Sequence, residues 1–267
     1  MGMKKDLKVA VVQYQIPNNY KKGEKKISEL VTQAVSKHID IFGLPEECLG
    51  QAYEGYNPLN YLSSIAKIYK VFLFGATYLQ DKGKKVRNVG FLFNNKGNLL
   101  IKQDKIVLTP PAIDAGFKAG NTIRVVDTDL GRVAILVCKD SFHRYAAWFF
   151  DKLMKSGVDI VLVPSSSISV SGRSVNLWTD TLKTMAMLFN VFILAPGTVG
   201  MNGIDKSKAF GHALIIDPLK VILVEGSEEK EEILFATLEK NSLEKLRNPE
   251  ADKWQPATIP DLKLIEK

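Results

Sequence analysis

Cys138 carries a strong potential nucleophile in a telling place. The apolar run Val133 to Val137 leads straight into Cys138, Lys139 and Asp140, which puts a thiol at the carboxyl end of a buried strand, where open α/β sheets keep their chemistry. Only a few per cent of an ordinary cysteine is ionised near neutral pH, so a base or a positive charge must assist it. Two other positions have the form of helpers. Glu46 follows Pro45 at the end of the segment Ile39 to Leu44, and Lys105 follows the short apolar strand Leu99 to Ile101. Taken singly, each has a plainer reading: a buried cysteine is usually a small hydrophobe, and Glu or Lys is usually a solvated surface group. Taken together, they are the groups that amide hydrolysis requires. A carboxylate of raised pKa can take the thiol proton and later give one to departing ammonia. A fixed ammonium and a backbone N–H, here Lys105 and the amide of Lys139, can stabilise the oxyanion of the tetrahedral intermediate. That chemistry requires no metal or organic cofactor.

The elements that must position these groups read as an alternation. Strand 9–14, helix 21–36 and strand 40–44 form a βαβ unit by pattern. Helix 58–69, strand 71–78 and a hairpin of 89–94 with 99–102 come next, the last turning through Asn94, Asn95, Lys96 and Gly97, residues that suit a tight turn. A proline-containing loop leads to a second hairpin, 123–127 with 133–137. Helix 143–155, strand 160–163, helix 175–190 and strands 191–195, 213–216, 221–224 and 233–238 complete the pattern. Helices outside and paired strands inside predict layers of α, β, β and α.

The chain has 267 residues, 46% hydrophobic and 24% charged, enough for one substantial core. A single domain over 1–267 is expected, with 241–267 as a tail that opens on a short charged helix and carries Trp254 against the body or a partner subunit. The net charge is +7, with lysines scattered and neither a basic stripe interleaved with aromatics nor a nucleic-acid motif, so no nucleic-acid partner is expected. Two cysteines, Cys48 and Cys138, are too few for a disulfide framework and suit a reduced, cytoplasmic setting. No apolar run approaches the ~18 residues of a membrane span, and the first residues lack an apolar signal core.

In family order, three segments resemble the nitrilase superfamily of carbon-nitrogen hydrolases. Leu44-Pro45-Glu46 with Gly55 and Tyr56 downstream resembles its proline-glutamate segment, with Glu46 and not Glu47 as the matching carboxylate. Lys102 to Leu108 resembles the lysine segment, with Lys105 in register and Lys102 as its nearest competitor. Cys138 to Asp140 resembles the nucleophile segment, and Gly157 to Ser165 resembles the stretch that normally comes after that segment in the family. Trp178, Asn190 and the stretch Phe210 to Pro218 add further similarity, so that the resemblance covers roughly residues 8–237. It implies a four-layer α-β-β-α sandwich and a Glu46, Lys105 and Cys138 triad. It also implies a thioester acyl-enzyme formed from a small amide, carbamoyl or nitrile substrate and released by water, and pairing as a homodimer through the helices next to the nucleophile. Asp114 sits where the family commonly has a second glutamate that positions the lysine. Tyr56, Lys139 and Ser165 are expected to bind substrate or support the triad.

This chain departs from the family pattern at Lys139, where an aromatic residue is common, at Val107, which replaces a common histidine, and at Phe142 to Tyr145, which lack a proline-glutamate pair. Lys139 or Arg144 near the mouth would favour an acidic substrate, unless Lys139 faces solvent or pairs with Asp140. Arg173 and Asn176 would line the site from a loop or, more simply, start a helix. The difference after the nucleophile favours an amidase or N-carbamoyl hydrolase over a true nitrilase. Two rivals remain. One is a cysteine-histidine hydrolase pairing Cys138 with His212 or His143 and oriented by Asp217; the other is a binding protein of the same fold without turnover.

Overall fold

In a computed structural model of the chain, residues 2–51, 54–80, 83–166 and 174–248 are described. Arg173, Trp254 and the rest of the segment 249–267 lie outside them. The elements run β1 (Leu7–Tyr14), α1 (Tyr20–Val35), β2 (Ile41–Gly43), α2 (Pro58–Tyr69), β3 (Phe72–Leu79), β4 (Arg87–Phe93), β5 (Leu99–Asp104) and α3 (Pro110–Asp114). They continue with β6 (Val125–Thr128), β7 (Gly131–Ile135), a 3-10 turn (Cys138–Ser141), α4 (Ala146–Lys155), β8 (Ile160–Leu162), α5 (Ser174–Phe189) and β9 (Phe192–Ala195). The last are β10 (Gly197–Thr198), β11 (Leu214–Asp217), β12 (Val221–Glu225), β13 (Glu232–Leu238) and α6 (Lys240–Leu246).

Strand alternation sorts the side chains into layers. One sheet runs β10-β1-β2-β3-β4-β5, with β13 added against β1, and the other runs β12-β11-β9-β8-β7-β6. Their inner faces meet through Val9, Val11 and Leu92 on one side and Val133, Ile135 and Leu162 on the other. The alternate residues point outward: Ala10, Val12 and Leu73 lie under Ile27 and Val31 of α1 and Ile65 of α2. Ala134, Leu136 and Val161 lie under Phe150 of α4 and Trp178 and Leu182 of α5. Strands such as β7 are therefore covered on both faces, which explains why 133–137 is apolar throughout instead of alternating. Each buried Val, Leu, Ile or Phe among these side chains contributes roughly 1.5–3 kcal/mol by leaving water. The architecture is the expected α-β-β-α sandwich.

The helices owe their starts to local chemistry. Asn19 caps α1 by accepting from the Lys22 N–H at 3.0 Å. Asn57 caps α2, which begins with Pro58, a residue whose missing N–H costs nothing there. The α3 turn opens the same way on Pro110, in a stretch that reads from sequence as plain loop. At α6, Leu243 joins the core, Ser242 Oγ donates to Asp217 Oδ2 at 2.7 Å, and Arg247 donates to Asp159 Oδ1 at 2.5 Å. Among the described residues, no helix is long and apolar enough to cross a membrane.

Gly90 of β4 brings the sheets together beneath the site. A Cβ there would lie 2.7 Å from Ile135 Cγ2 and 3.0 Å from Val137 Cγ2, closer than packed carbons approach. Asn88, two residues away and so on the same face of β4, is thereby brought toward the end of β7.

Candidate active site

Three strand ends converge. Past β2, the chain stays beside β3 for a few residues, with Leu44 N–H donating to Phe74 O at 2.8 Å and Cys48 N–H to Ala76 O at 3.1 Å. Glu46 lies between those contacts and is 1% exposed. Past β5, Lys105 N–H donates to Asn88 O at 2.9 Å, which carries the lysine inward. Its Nζ donates to Glu46 Oε1 at 2.6 Å, and Asn88 Nδ2 donates to the same oxygen at 2.6 Å. The other carboxylate oxygen accepts from Ser166 N–H at 3.1 Å and Ser166 Oγ at 3.0 Å.

Past β7, the expected strand 133–137 leaves the ladder early. Val137 N–H donates to Asp140 Oδ2 at 3.2 Å, and Cys138 takes a left-handed φ of 50°, a conformation that costs a non-glycine residue about 1–2 kcal/mol. It is held there by Cys138 N–H donating to Pro164 O at 2.9 Å and by Ser141 Oγ donating to Cys138 O at 2.7 Å. The 3-10 turn that begins at Cys138 delays α4 to Ala146, later than the expected 143. Ser165 Oγ donates to Cys138 Sγ at 3.4 Å, and the Glu46 carboxylate acts electrostatically on the thiol. The Lys139 N–H is used by no hydrogen bond among the described residues, which leaves it free to meet an oxyanion.

The charges favour one resting state. Burial pushes Glu46 up, but the touching Lys105 ammonium, helped by the thiol and Ser166, holds it below its ordinary range. Burial would lower Lys105, yet Cys138, Glu46 and Asp140 beside it raise it above its ordinary value. The Cys138 thiol is pushed up to about 12 by burial and then by the Glu46 charge, against the pull of Lys105 and Ser165. A carboxylate, an ammonium and a neutral thiol therefore share the site. The expectation of a carboxylate with raised pKa is corrected: burial is the largest single influence on Glu46, but the Lys105 ammonium in direct contact, together with the thiol and Ser166, outweighs it.

The supporting residues divide. Ser165, expected to bind substrate or support the triad, lies at the thiol. Asp114 is not: it ends α3 on the surface, exposed, without a hydrogen bond or ion pair to Lys105 among the described residues. From the same stretch, the Phe117 ring turns inward instead, edge-on to Tyr78 at 5.2 Å. Tyr56 is also placed elsewhere, its hydroxyl donating to Glu24 Oε1 of α1 at 2.5 Å and its ring 4.4 Å from Tyr20. Lys139 does not pair with Asp140. Its Nζ reaches Leu108 O at 3.5 Å, and the residue lines an open cavity of about 610 Å³ between α4 and α5 with Arg144, Ala147 and Leu177. Asn176 is exposed on α5. The cysteine-histidine rival finds no support in the geometry: among the described residues neither His212 nor His143 is hydrogen-bonded to Cys138, and His212 Nδ1 lies 2.7 Å from Glu225 Oε1 and not beside Asp217.

Four residues escaped sequence reasoning as parts of the site. Asn88 and Ser166 hold Glu46 from distant segments and lacked a local signal. Asp140, fully buried, accepts from Val107 N–H at 2.6 Å and also from the N–H groups of Ile106 and Val137, and so ties the lysine segment to the cysteine segment. Burial raises its pKa to about 6, restrained by those N–H groups and Lys105. Its place two residues after the cysteine was the available hint. Glu47 is the fourth.

A model of the carbon-nitrogen hydrolase family matches residues 8–248. The chain is 22% identical over 266 residues to the deaminated glutathione amidase of Dictyostelium discoideum, an alignment covering 89% of each. It is 26% identical over 199 residues to the omega-amidase NIT3 of Saccharomyces cerevisiae, covering 71% of this chain and 66% of that protein. The crystal structure of Saccharomyces cerevisiae Nit3, a member of branch 10 of the nitrilase superfamily, superposes with a TM-score of 0.81 at 21% identity, over 96% of this chain and 97% of that one. An amidase from Nesterenkonia sp. superposes with a TM-score of 0.77 at 18% identity, over 96% and 99%.

Proposed function

The chain belongs to the carbon-nitrogen hydrolase family of the nitrilase superfamily and is an amidase-like enzyme; from that premise we propose that Cys138, Glu46 and Lys105 hydrolyse the C–N bond of a small amide or N-carbamoyl compound. The observation that carries the reading is the buried 2.6 Å contact of Lys105 Nζ with Glu46 beside the Cys138 thiol. Glu46 takes the thiol proton as Sγ attacks the carbonyl carbon. With a thiol near 12, a free thiolate is scarce at neutral pH, so proton transfer accompanies attack. Lys105 Nζ and the Lys139 N–H stabilise the oxyanion. As the C–N bond breaks, the proton on Glu46 passes to the leaving nitrogen and ammonia departs, leaving a thioester on Cys138. Glu46 then activates water, which releases the acid and restores the thiol.

The test is an ammonia-release screen over small neutral amides, dicarboxylate monoamides, N-carbamoyl amines and nitriles, with intact mass to find an acyl adduct. The wild type is expected to release ammonia from an amide or carbamoyl compound and to carry the adduct on Cys138, and Cys138→Ala to do neither. Silence of the wild type across the whole panel overturns the enzyme reading in favour of a binding protein. Release from nitriles alone overturns the choice of amide over nitrile.

The same proposal includes a homodimer through α4 and α5. Trp148, Leu177 and Leu188 on these helices are 56%, 50% and 63% exposed, and exposed large apolar groups gathered on one face mark association sites. The free, buried Cys48 and Cys138 suit a reducing compartment, and a cytoplasmic location belongs to the same reading.

A further inference from the structure

Glu47 is a second buried carboxylate immediately after the proposed base, and the triad does not use it. The backbone turns sharply at this residue, with a φ of 60°, so that neighbouring side chains reach different partners. Tyr78 of β3 donates its hydroxyl to Glu47 Oε1, and Asn202 Nδ2 donates to Oε2 at 2.7 Å. The amide orientation of Asn202 is fixed independently, since its Oδ1 already accepts from the Ile204 N–H at 2.7 Å. Its NH2 must therefore face the carboxylate. Asn202 is 2% exposed and Glu47 8%, and among the described residues no cation pairs with Glu47. Three segments thus meet on one carboxylate: the loop after β2, β3, and the loop 199–209.

We propose that Glu47 is a positioning residue, a carboxylate clamped by Tyr78 and Asn202 whose charge sets how strongly Glu46 draws the proton of Cys138. The inference rests on Glu46 acting as the base. Lys105 holds Glu46 in a weakly basic state, and an adjacent anion opposes Lys105 and restores basicity. The charged groups facing the clamp are Glu46 from its own loop, Lys105 from the end of β5, and Asp205, which acts on Tyr78 from the 199–209 loop. Burial and then the Glu46 charge raise Glu47 to about 7, while Tyr78, Asn202 and Lys105 restrain it. As pH rises through that value Glu47 becomes charged, Glu46 becomes the stronger base, and the reactivity of Cys138 rises.

The experiment follows alkylation of Cys138 by iodoacetamide from pH 5 to 9 by intact mass, with Cys138→Ala as the control for the buried Cys48, and follows ammonia release in parallel. The wild type is expected to gain reactivity through a limb near pH 7. Glu47→Gln should lose that limb and react about tenfold more slowly at pH 8, the effect of one unit in Glu46. Tyr78→Phe removes a hydrogen bond that favours the charged form, so its limb should move to higher pH. Thermal unfolding checks the fold, and Glu47→Gln/Asn202→Asp, which returns the charge one side chain away, should restore a limb if the single variant is perturbed. A Glu47→Gln profile that parallels the wild type, or an unmoved limb in Tyr78→Phe, overturns the proposal and leaves Glu47 a structural clamp. If the alkylation limb behaves as expected while no substrate releases ammonia, the clamp stands and the amidase reading falls.

Discussion

Around the thiol, Glu46 is 1% exposed, Lys105 5% and Asp140 0%, whereas on the outer side of α4 and α5 Trp148 is 56% exposed and Leu188 63%. One region buries charge and the other exposes hydrocarbon. Burying an ion costs several kcal/mol before its partner offsets the loss, and leaving a large apolar side chain in water forfeits roughly 1.5–3 kcal/mol. Neither arrangement helps this chain fold alone. On the proposed function the difference teaches where each would be offset: the buried charges in the transition state of a reaction, the exposed face in contact with a second copy.

The comparison breaks most severely if the charges near Cys138 prove dispensable. Glu46→Gln is expected to lower kcat/KM for ammonia release by about 10³-fold, within the range for a lost general base. It should also reduce stability by about 3 kcal/mol, because it strands the Lys105 ammonium. Loss of less than tenfold in turnover would remove Glu46 from the chemistry. The sign with pH is distinctive. Glu46 is held below its ordinary value, so its stabilising contribution is present above about pH 4.5 and is lost as pH falls through the depressed value. Lys105 is raised, so its contribution is complete below its ordinary value and is lost only as pH climbs through the raised one. Thermal unfolding from pH 3 to 8 should therefore show an acid decline in the wild type that Glu46→Gln flattens.

An intermediate effect sharpens the other half. Leu177→Glu places a charge on the α4–α5 face, and sedimentation velocity should show at least about tenfold weaker self-association, corresponding to about 1.4 kcal/mol. Activity per chain should hold within about threefold. Unchanged association would assign the exposed face to something other than a second copy. The smallest effect tests a boundary of the site: Asp114→Ala is expected to change stability by no more than about 0.5 kcal/mol and kcat/KM by less than about twofold, in both assays already named. A large loss of activity would return Asp114 to the lysine.

How much could be read from the sequence depends on how local each cause is. The inward and outward residues of β7 and the βαβ opening are written in consecutive apolar positions, and Cys138, Glu46 and Lys105 each come after a strand, so place and chemistry pointed the same way. Asn88 and Ser166 had no such marker, because a hydrogen bond between distant segments leaves no trace in spacing. Asp114 was misassigned for the converse reason. Family register fixed its position along the chain, but a proline-initiated turn carried it to the surface and sent Phe117 inward. Of two adjacent glutamates, register selected Glu46 as the base; burial of Glu47 depends on Tyr78 and Asn202, which no local pattern connects to it.

The pairing of β1 with β13 has a consequence for how the molecule is made. Leu7 lies opposite Leu238 and Val12 opposite Ile233, so the first strand waits for the last one before its sheet is complete. Contacts so distant along the chain are closed late and slowly. During synthesis β1 presents an unsatisfied edge while β2 to β12 emerge, which exposes it to pairing with other chains. Leu234 and Leu238 of β13 also enter the core between the two sheets, so that core is complete only once this last strand has docked.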